Sequence, residues 1–288
     1  MRRFIFICLL TFGWAGAAHA DAAQTLQATY HALDTSLQQS PFHSPLLLSS
    51  TETPNLVAGD VHAVVDYPFG TVNATLNTPA HWCEVISLHL NTKFCSSEKA
   101  TSGSKLRVRI GSKGPQEVAQ ASPLEFSFTL AALSPQYLAV ILSAKDGPMG
   151  TSDYRISMEA IPLSPGKTFL HLRYSYAVNL VGRVAMQTYL TTLGRNKVGF
   201  TVAGQRSNGD PDYIAGVRGV LERNIMRYYL AIDTCLQTAS LPVADQFERR
   251  LQLWFSAIER YPRQLHDLER TEYVDMKRAE HAREAEIP

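Results

Sequence analysis

The sequence predicts an α+β protein in which an antiparallel sheet is covered by a long helix near the C-terminus, and three observations predict it. From position 88 to 178, segments with apolar residues at every second position are separated by turn signals, and no helix-length crossover intervenes. At Ile214 the period changes, so that Ile214, Val217, Leu221, Ile225, Tyr228, Ile232 and Cys235 share one helix face. A stripe of that length has to be buried, and the sheet is the large partner available. The composition, 45% hydrophobic and 18% charged, is that of a folded globular chain. The net charge of +1 offers no basic surface to neutralise phosphates, so nucleic acid is excluded as an expected partner.

Taken in order, the chain opens with Arg2 and Arg3, an apolar run from Phe4 to Trp14, and the small-residue stretch ending Ala18-His19-Ala20. This is the pattern of an export signal with an A-x-A cleavage site, so residues 1–20 read as a signal peptide. The run is shorter than the roughly 20 residues of a spanning helix. The expected product is soluble and exported, to the periplasm or outside the cell. Residues 21–58 read as a helix, with Leu26, Tyr30, Leu33 and Leu37 on one face, followed after Pro41 by a loop.

The domain expected over residues 59–240 begins with a strand (Val61, Ala63, Val65). Two short helical stretches follow, opened by Pro68 and by Thr78-Pro79. Strands are predicted over 88–95, 105–110, 124–130, 137–143, 154–163 and 168–178. Residues 181–193 are loosely helical, and 197–202 read as a last strand. Asp210 and Pro211 read as the cap and first position of the long helix, with Arg218, Glu222, Arg223, Arg227 and Asp233 off its apolar stripe. Residues 241–288 form a charged helical extension. In it Phe247, Leu251, Trp254, Phe255 and Ile258 make an apolar face, and 277–286 are expected to be solvated or frayed.

Removing the signal leaves Cys83, Cys95 and Cys235. In an oxidising compartment the two close cysteines are read first as a disulfide, Cys83 to Cys95. His81, Cys83, His89 and Cys95 match none of the usual zinc spacings, and no metal or cofactor is expected. Motifs for serine nucleophiles, zinc proteases, phosphate loops and dinucleotides are absent, so no catalytic residue is assigned. An acid/base pair of Asp66 or Glu159 with a strand histidine, His62, His89 or His171, stays open. Arg107, Arg109, Arg155, His171 and Arg173 alternate away from the apolar stripes and are expected on the solvent face.

A first strand leaving through Tyr67-Pro68-Phe69, a helical interruption, Trp82-Cys83 before a meander, and the helical stretch from Gly209 to Gln237 together resemble the START-like (SRPBCC, Bet v 1-like) superfamily. The resemblance implies a helix-grip fold, in which a curved antiparallel sheet wraps the C-terminal helix around an apolar cavity. It implies a binder of lipids or other hydrophobic small molecules, with a minority of cyclase- or hydrolase-like enzymes. The expected cavity residues are Val108, Phe126, Phe128, Val140, Ile156, Met158, Leu172, Tyr174, Tyr176, Met186, Tyr189, Ile225 and Tyr228. Alternation alone does not separate a hollow interior from a filled core. A filled core would suit an interaction protein docking through the Trp254 face, and transient membrane contact would accompany lipid transfer.

Overall fold

The computed structural model describes residues 14–100, 103–178 and 197–284. Eight strands form one antiparallel sheet: β1 (Leu46–Glu52), β2 (Leu56–Val65), β3 (Thr92–Ala100), β4 (Gly103–Ile110), β5 (Ser122–Leu133), β6 (Leu138–Asp146), β7 (Thr151–Ser164) and β8 (Lys167–Val178). Their spatial order is β1-β2-β8-β7-β6-β5-β4-β3. The meander β3 to β8 is therefore closed by β2 returning beside β8, with β1 added at that edge. The helices are α1 (Trp14–Gln38), α2 (Phe69–Leu76), α3 (Pro79–Ser87), α4 (Gly216–Thr238), α5 (Val243–Ile258), α6 (Pro262–Leu265) and α7 (Arg270–Glu284). Helices α2 and α3 fall where Pro68 and Thr78-Pro79 predict them, and the Thr78 hydroxyl caps α3 by accepting from His81 N. The long helix α4 packs on β1, β2 and β8. This is the helix-grip arrangement that the order of elements predicts.

The sheet buries apolar side chains on both faces, over the whole inner face and under α1 on the outer one. Its inner face packs with α4, α5 and α7 into one large core that includes Trp82, Leu106, Met158, Leu172, Ile225 and Trp254. On the outer face α1 covers Tyr137, Ala139, Ile161 and Phe169 with Leu26 and Leu37, and the Tyr30 ring lies 5.2 Å from that of Phe169. The disulfide is present between Cys83 on α3 and Cys95 on β3, while Cys235 is a buried thiol.

Several local expectations are corrected. Where a loop was expected before Gly59, Leu46-Leu47-Leu48 begins the edge strand β1, paired with β2 from Leu46 opposite Ala63 to Glu52 opposite Val57. Leu88 and Leu90 alternate like a strand but belong to the turn after α3. Strand β3 starts at Thr92, and a bulge between Thr92 and Phe94 turns Lys93 and Cys95 inward. Residues 197–201 are not a strand. Instead β9 (Val202–Gln205) and β10 (Pro211–Tyr213) form a small separate hairpin, turned by Asn208-Gly209 with Gly209 at φ 87°. Pro211 lies in a strand and does not open a helix. Helix α4 starts at Gly216 with no side-chain cap.

Glu222, Arg223 and Arg227 are buried, because chain packs on α4 opposite the sheet as well. The extension is likewise packed. Trp254 is fully buried and stacks 5.0 Å from Tyr273, so its apolar face is occupied within the chain. Lys277 and Glu280 are buried against the start of β3 and are not solvated.

Glu222 accepts hydrogen bonds from Ser50 Oγ (2.5 Å), Phe200 N (2.6 Å), Thr201 N (2.9 Å) and Thr201 Oγ1 (2.7 Å). Glu222→Ala strands these buried donors and should lower the unfolding free energy by about 3 kcal/mol in urea titration. Glu222→Gln, which keeps an acceptor oxygen, should lose less. Replacing Cys83 and Cys95 together by Ser opens a loop of sequence separation 12 and should cost about 3 kcal/mol in the same assay.

Candidate ligand-binding site

Strand register builds the inner wall. Phe128, Leu142, Ile156 and Tyr174 stand in one row across β5 to β8, and Val140, Met158, Leu172 and Val61 in another. Helix α4 sets Tyr228 against Tyr174, and its Ile225 joins the same core. Of the expected cavity residues, Val108, Phe126, Val140, Ile156, Met158, Leu172, Tyr174, Tyr176 and Ile225 are all at most 5% exposed and join one core. Phe128 and Tyr228 are only partly buried, as is Tyr154 beside them. Open surface on this wall is thus concentrated at its aromatic end. Met186, Tyr189 and the helix expected over 181–193 lie outside the described residues.

Four tyrosines define that end. Tyr174 lies 5.5 Å from Tyr228 edge-on and 5.6 Å from Tyr176, and Tyr154 stacks 5.3 Å from Tyr176. Burial pushes the phenols of Tyr174, Tyr176 and Tyr228 well above their ordinary range, so they are neutral donors with apolar bodies.

His89 completes the group, its ring 5.2 Å from that of Tyr228. The alternation of Leu88, His89 and Leu90 predicts a strand position off the apolar stripe for it. In the structure it sits in the turn after α3, where it is 5% exposed and its Nδ1 accepts from Asn91 N at 3.2 Å. Its Nε2 is buried and, among the described residues, makes no hydrogen bond of good geometry, although the Asn224 side chain also acts on the ring and favours its protonated form. Burial, reinforced by the charges of Arg227 and Lys277, holds its pKa well below the usual value, so the imidazole is neutral. A buried ring nitrogen without a partner is costly unless something else supplies the bond. The sequence signal was faint: Leu88-His89-Leu90 has the spacing of a strand, and only the end of α3 at Ser87 shows otherwise.

A second polar cluster occupies the outer face. His171 Nε2 is 2.8 Å from Asp60 and its Nδ1 is 3.3 Å from Glu159, while Arg173 binds both Asp60 oxygens at 2.9 and 2.7 Å. Tyr137 donates to Glu159, and the His62 ring stacks on His171 at 4.3 Å. The pairing of Glu159 with a strand histidine is therefore realised, whereas Asp66 pairs with Lys167. Burial opposes the charge on His171, but its hydrogen bonds to Asp60 and Glu159 outweigh it and raise its pKa to about 9. Burial, then the His171 charge, lowers His62 to about 4. Arg107 and Arg155 are exposed, as alternation predicts.

The chain matches no family model. No curated protein matches it either. Solved structures overlap it in part. Norcoclaurine synthase from Thalictrum flavum, in complex with dopamine and hydroxybenzaldehyde, has 11% identity and a TM-score of 0.35, over 49% of this chain and 82% of that one. A START superfamily protein from Mycobacterium smegmatis has 17% identity and a TM-score of 0.32, over 49% and 92%. The Zhui aromatase/cyclase from Streptomyces sp. R1128 has 10% identity and a TM-score of 0.36, over 66% and 98%. The fold itself rests on the strand order and the placement of α4.

Because His171 gains proton affinity on folding, its stabilisation is complete below its ordinary pKa of 6.5 and is lost as pH rises through about 9. The stability difference between the native protein and His171→Gln should therefore be constant near pH 6 and shrink between pH 7 and pH 9, as read by denaturant titration at each pH.

Proposed function

We propose that this is an exported binding protein that sequesters or carries a hydrophobic, lipid-like molecule at the aromatic end of the space between the sheet and α4. The observation that carries this reading is the group of Tyr154, Tyr174, Tyr176 and Tyr228 at the partly accessible end of the inner wall, with the buried neutral imidazole of His89 against Tyr228. The rings of Tyr154, Tyr174, Tyr176 and Tyr228 would supply apolar burial, and the neutral imidazole would orient a polar head. Export is supported by the pattern from Arg2-Arg3 to Ala18-His19-Ala20 and by a disulfide, which persists outside reducing compartments. Among the described residues no helix is long and apolar enough to cross a membrane.

A second reading is catalysis of the cyclase kind in the same space, in which the His89 imidazole beside Tyr228 would orient a substrate by hydrogen bonding, its lowered pKa making it a weak base.

Native mass spectrometry with lipid extraction, on protein purified from the exported fraction, tests the first reading. A stoichiometric co-purifying lipid is expected, with its occupancy reduced in His89→Phe. A clean apo mass, with no uptake of a hydrophobic probe, would overturn it.

A further inference from the structure

Beside the aromatic end, one polar cluster is short of negative charge. Asp267, 4% exposed, takes Arg227 Nη2 at 2.5 Å, Lys113 Nζ at 2.7 Å and Lys197 Nζ at 2.8 Å, so three cations share one carboxylate. The nearest acids in sequence, Glu259 and Glu269, turn instead to the His266 ring, at 2.9 and 3.9 Å. Residues 179–196, which precede Lys197, add no Asp or Glu to the sequence. Burial pushes the Lys113 amine down to about 8 against the pull of Asp267, and the charges of Arg227 and Lys197 act in the same direction as burial. An ammonium in that position gains from any further anion that reaches it.

The donors are within reach of solvent. The side chains of Lys113 and Lys197 are 28% and 27% exposed. Among the described residues Lys113 Nζ donates to Asp267 alone and keeps two hydrogens, while Lys197 Nζ uses Asp267 and His266 O (2.7 Å) and keeps one. Both amines touch the same oxygen, Asp267 Oδ1, so they lie close enough for one oxyanion to bridge them. The cluster adjoins the aromatic group through α4 and His89. Arg227 and Tyr228 are successive residues of α4; burial raises the Tyr228 phenol, and the Arg227 charge opposes that rise. Beyond the effect of burial, the charges of Arg227, Lys277 and Lys113 all act on the His89 ring, which lies 5.2 Å from that of Tyr228.

We propose, resting on the hydrophobic-carrier reading above, that the ligand is an anionic amphiphile whose oxyanion head bridges Lys113 and Lys197 and whose apolar chain lies against Tyr228 and Tyr174. The head adds charge-assisted hydrogen bonds to the apolar burial that a neutral chain of the same length would gain.

The test is titration of the purified protein with decanoate and with decanol, each read by displacement of the neutral probe Nile red, with acetate as competitor. Decanoate is expected to bind at least about tenfold tighter than decanol. Lys113→Gln with Lys197→Gln should bring the decanoate affinity down to that of decanol, with folding checked by thermal melting. Lys113→Gln alone, in which Asp267 keeps Arg227 and Lys197, should lose a large part of the same advantage and serves if the double variant does not fold. Equal affinity of decanoate and decanol would overturn this inference and leave the carrier reading standing, as would a decanoate advantage that survives loss of the lysines. Acetate that lowers decanoate binding at equal concentration would assign the lysines to a free anion and overturn the amphiphile. No uptake of Nile red and no binding of either chain would overturn the carrier reading, and this inference with it.

Discussion

The buried carboxylate of Glu222 joins the parts of this fold that are far apart in sequence. It stands on α4, is fully buried, and takes donors from β1 and from the chain leading into β9. A carboxylate without water costs several kcal/mol unless its lone pairs are filled, and here four donors fill them. The fit also dictates a residue elsewhere: a Cβ at Gly199 would lie 2.4 Å from Glu222 Oε2, so only glycine lets the chain pass. Two other carboxylates work alike. Asp267 gathers Arg227, Lys113 and Lys197, and Glu280 bridges Lys93 and Lys277 over the turn before β3. Apolar burial drives the C-terminal elements onto the sheet, and these three acids decide where they stop.

The same acids explain which parts of the structure were legible in the sequence. The meander, α2, α3 and the span of α5 follow from local period and punctuation, which a single chain displays directly. The tail from Lys277 onward looked solvated because charged residues usually are, and nothing nearby in sequence announces that backbone carbonyls of residues 89 and 92 will surround the Lys277 amine. Asp210-Pro211 carried a helix-start signal that lost to the tighter local turn at Asn208-Gly209, where Asn208 Oδ1 accepts from Asp210 N. Leu88 and Leu90 mimicked a strand because a turn that buries both leucines leaves the same alternation.

The inner wall shows the reach of pattern reasoning and its limit. Alternation placed Val108, Phe126, Val140, Ile156, Met158 and Leu172 on one face, yet period two does not report how closely a helix will approach that face. The structure packs most of the wall against α4 and concentrates accessible surface at Phe128, Tyr154 and Tyr228. The sequence offers His89 only as a strand histidine, for a related reason: its neighbour Tyr228 is more than a hundred residues away, and only the folded chain brings the rings together.

One small contact carries a wider meaning. Strand β3 is an outer strand of the sheet, and such strands offer unpaired amides to any other extended chain. Glu284, near the end of α7, occupies the amide of Cys95 with its side chain and so substitutes for the missing neighbour strand. Trimming of the C-terminus by an exopeptidase past this position would remove that substitute and free an amide beside the disulfide. The last turn of α7 thus leaves one fewer open amide along this edge of the sheet.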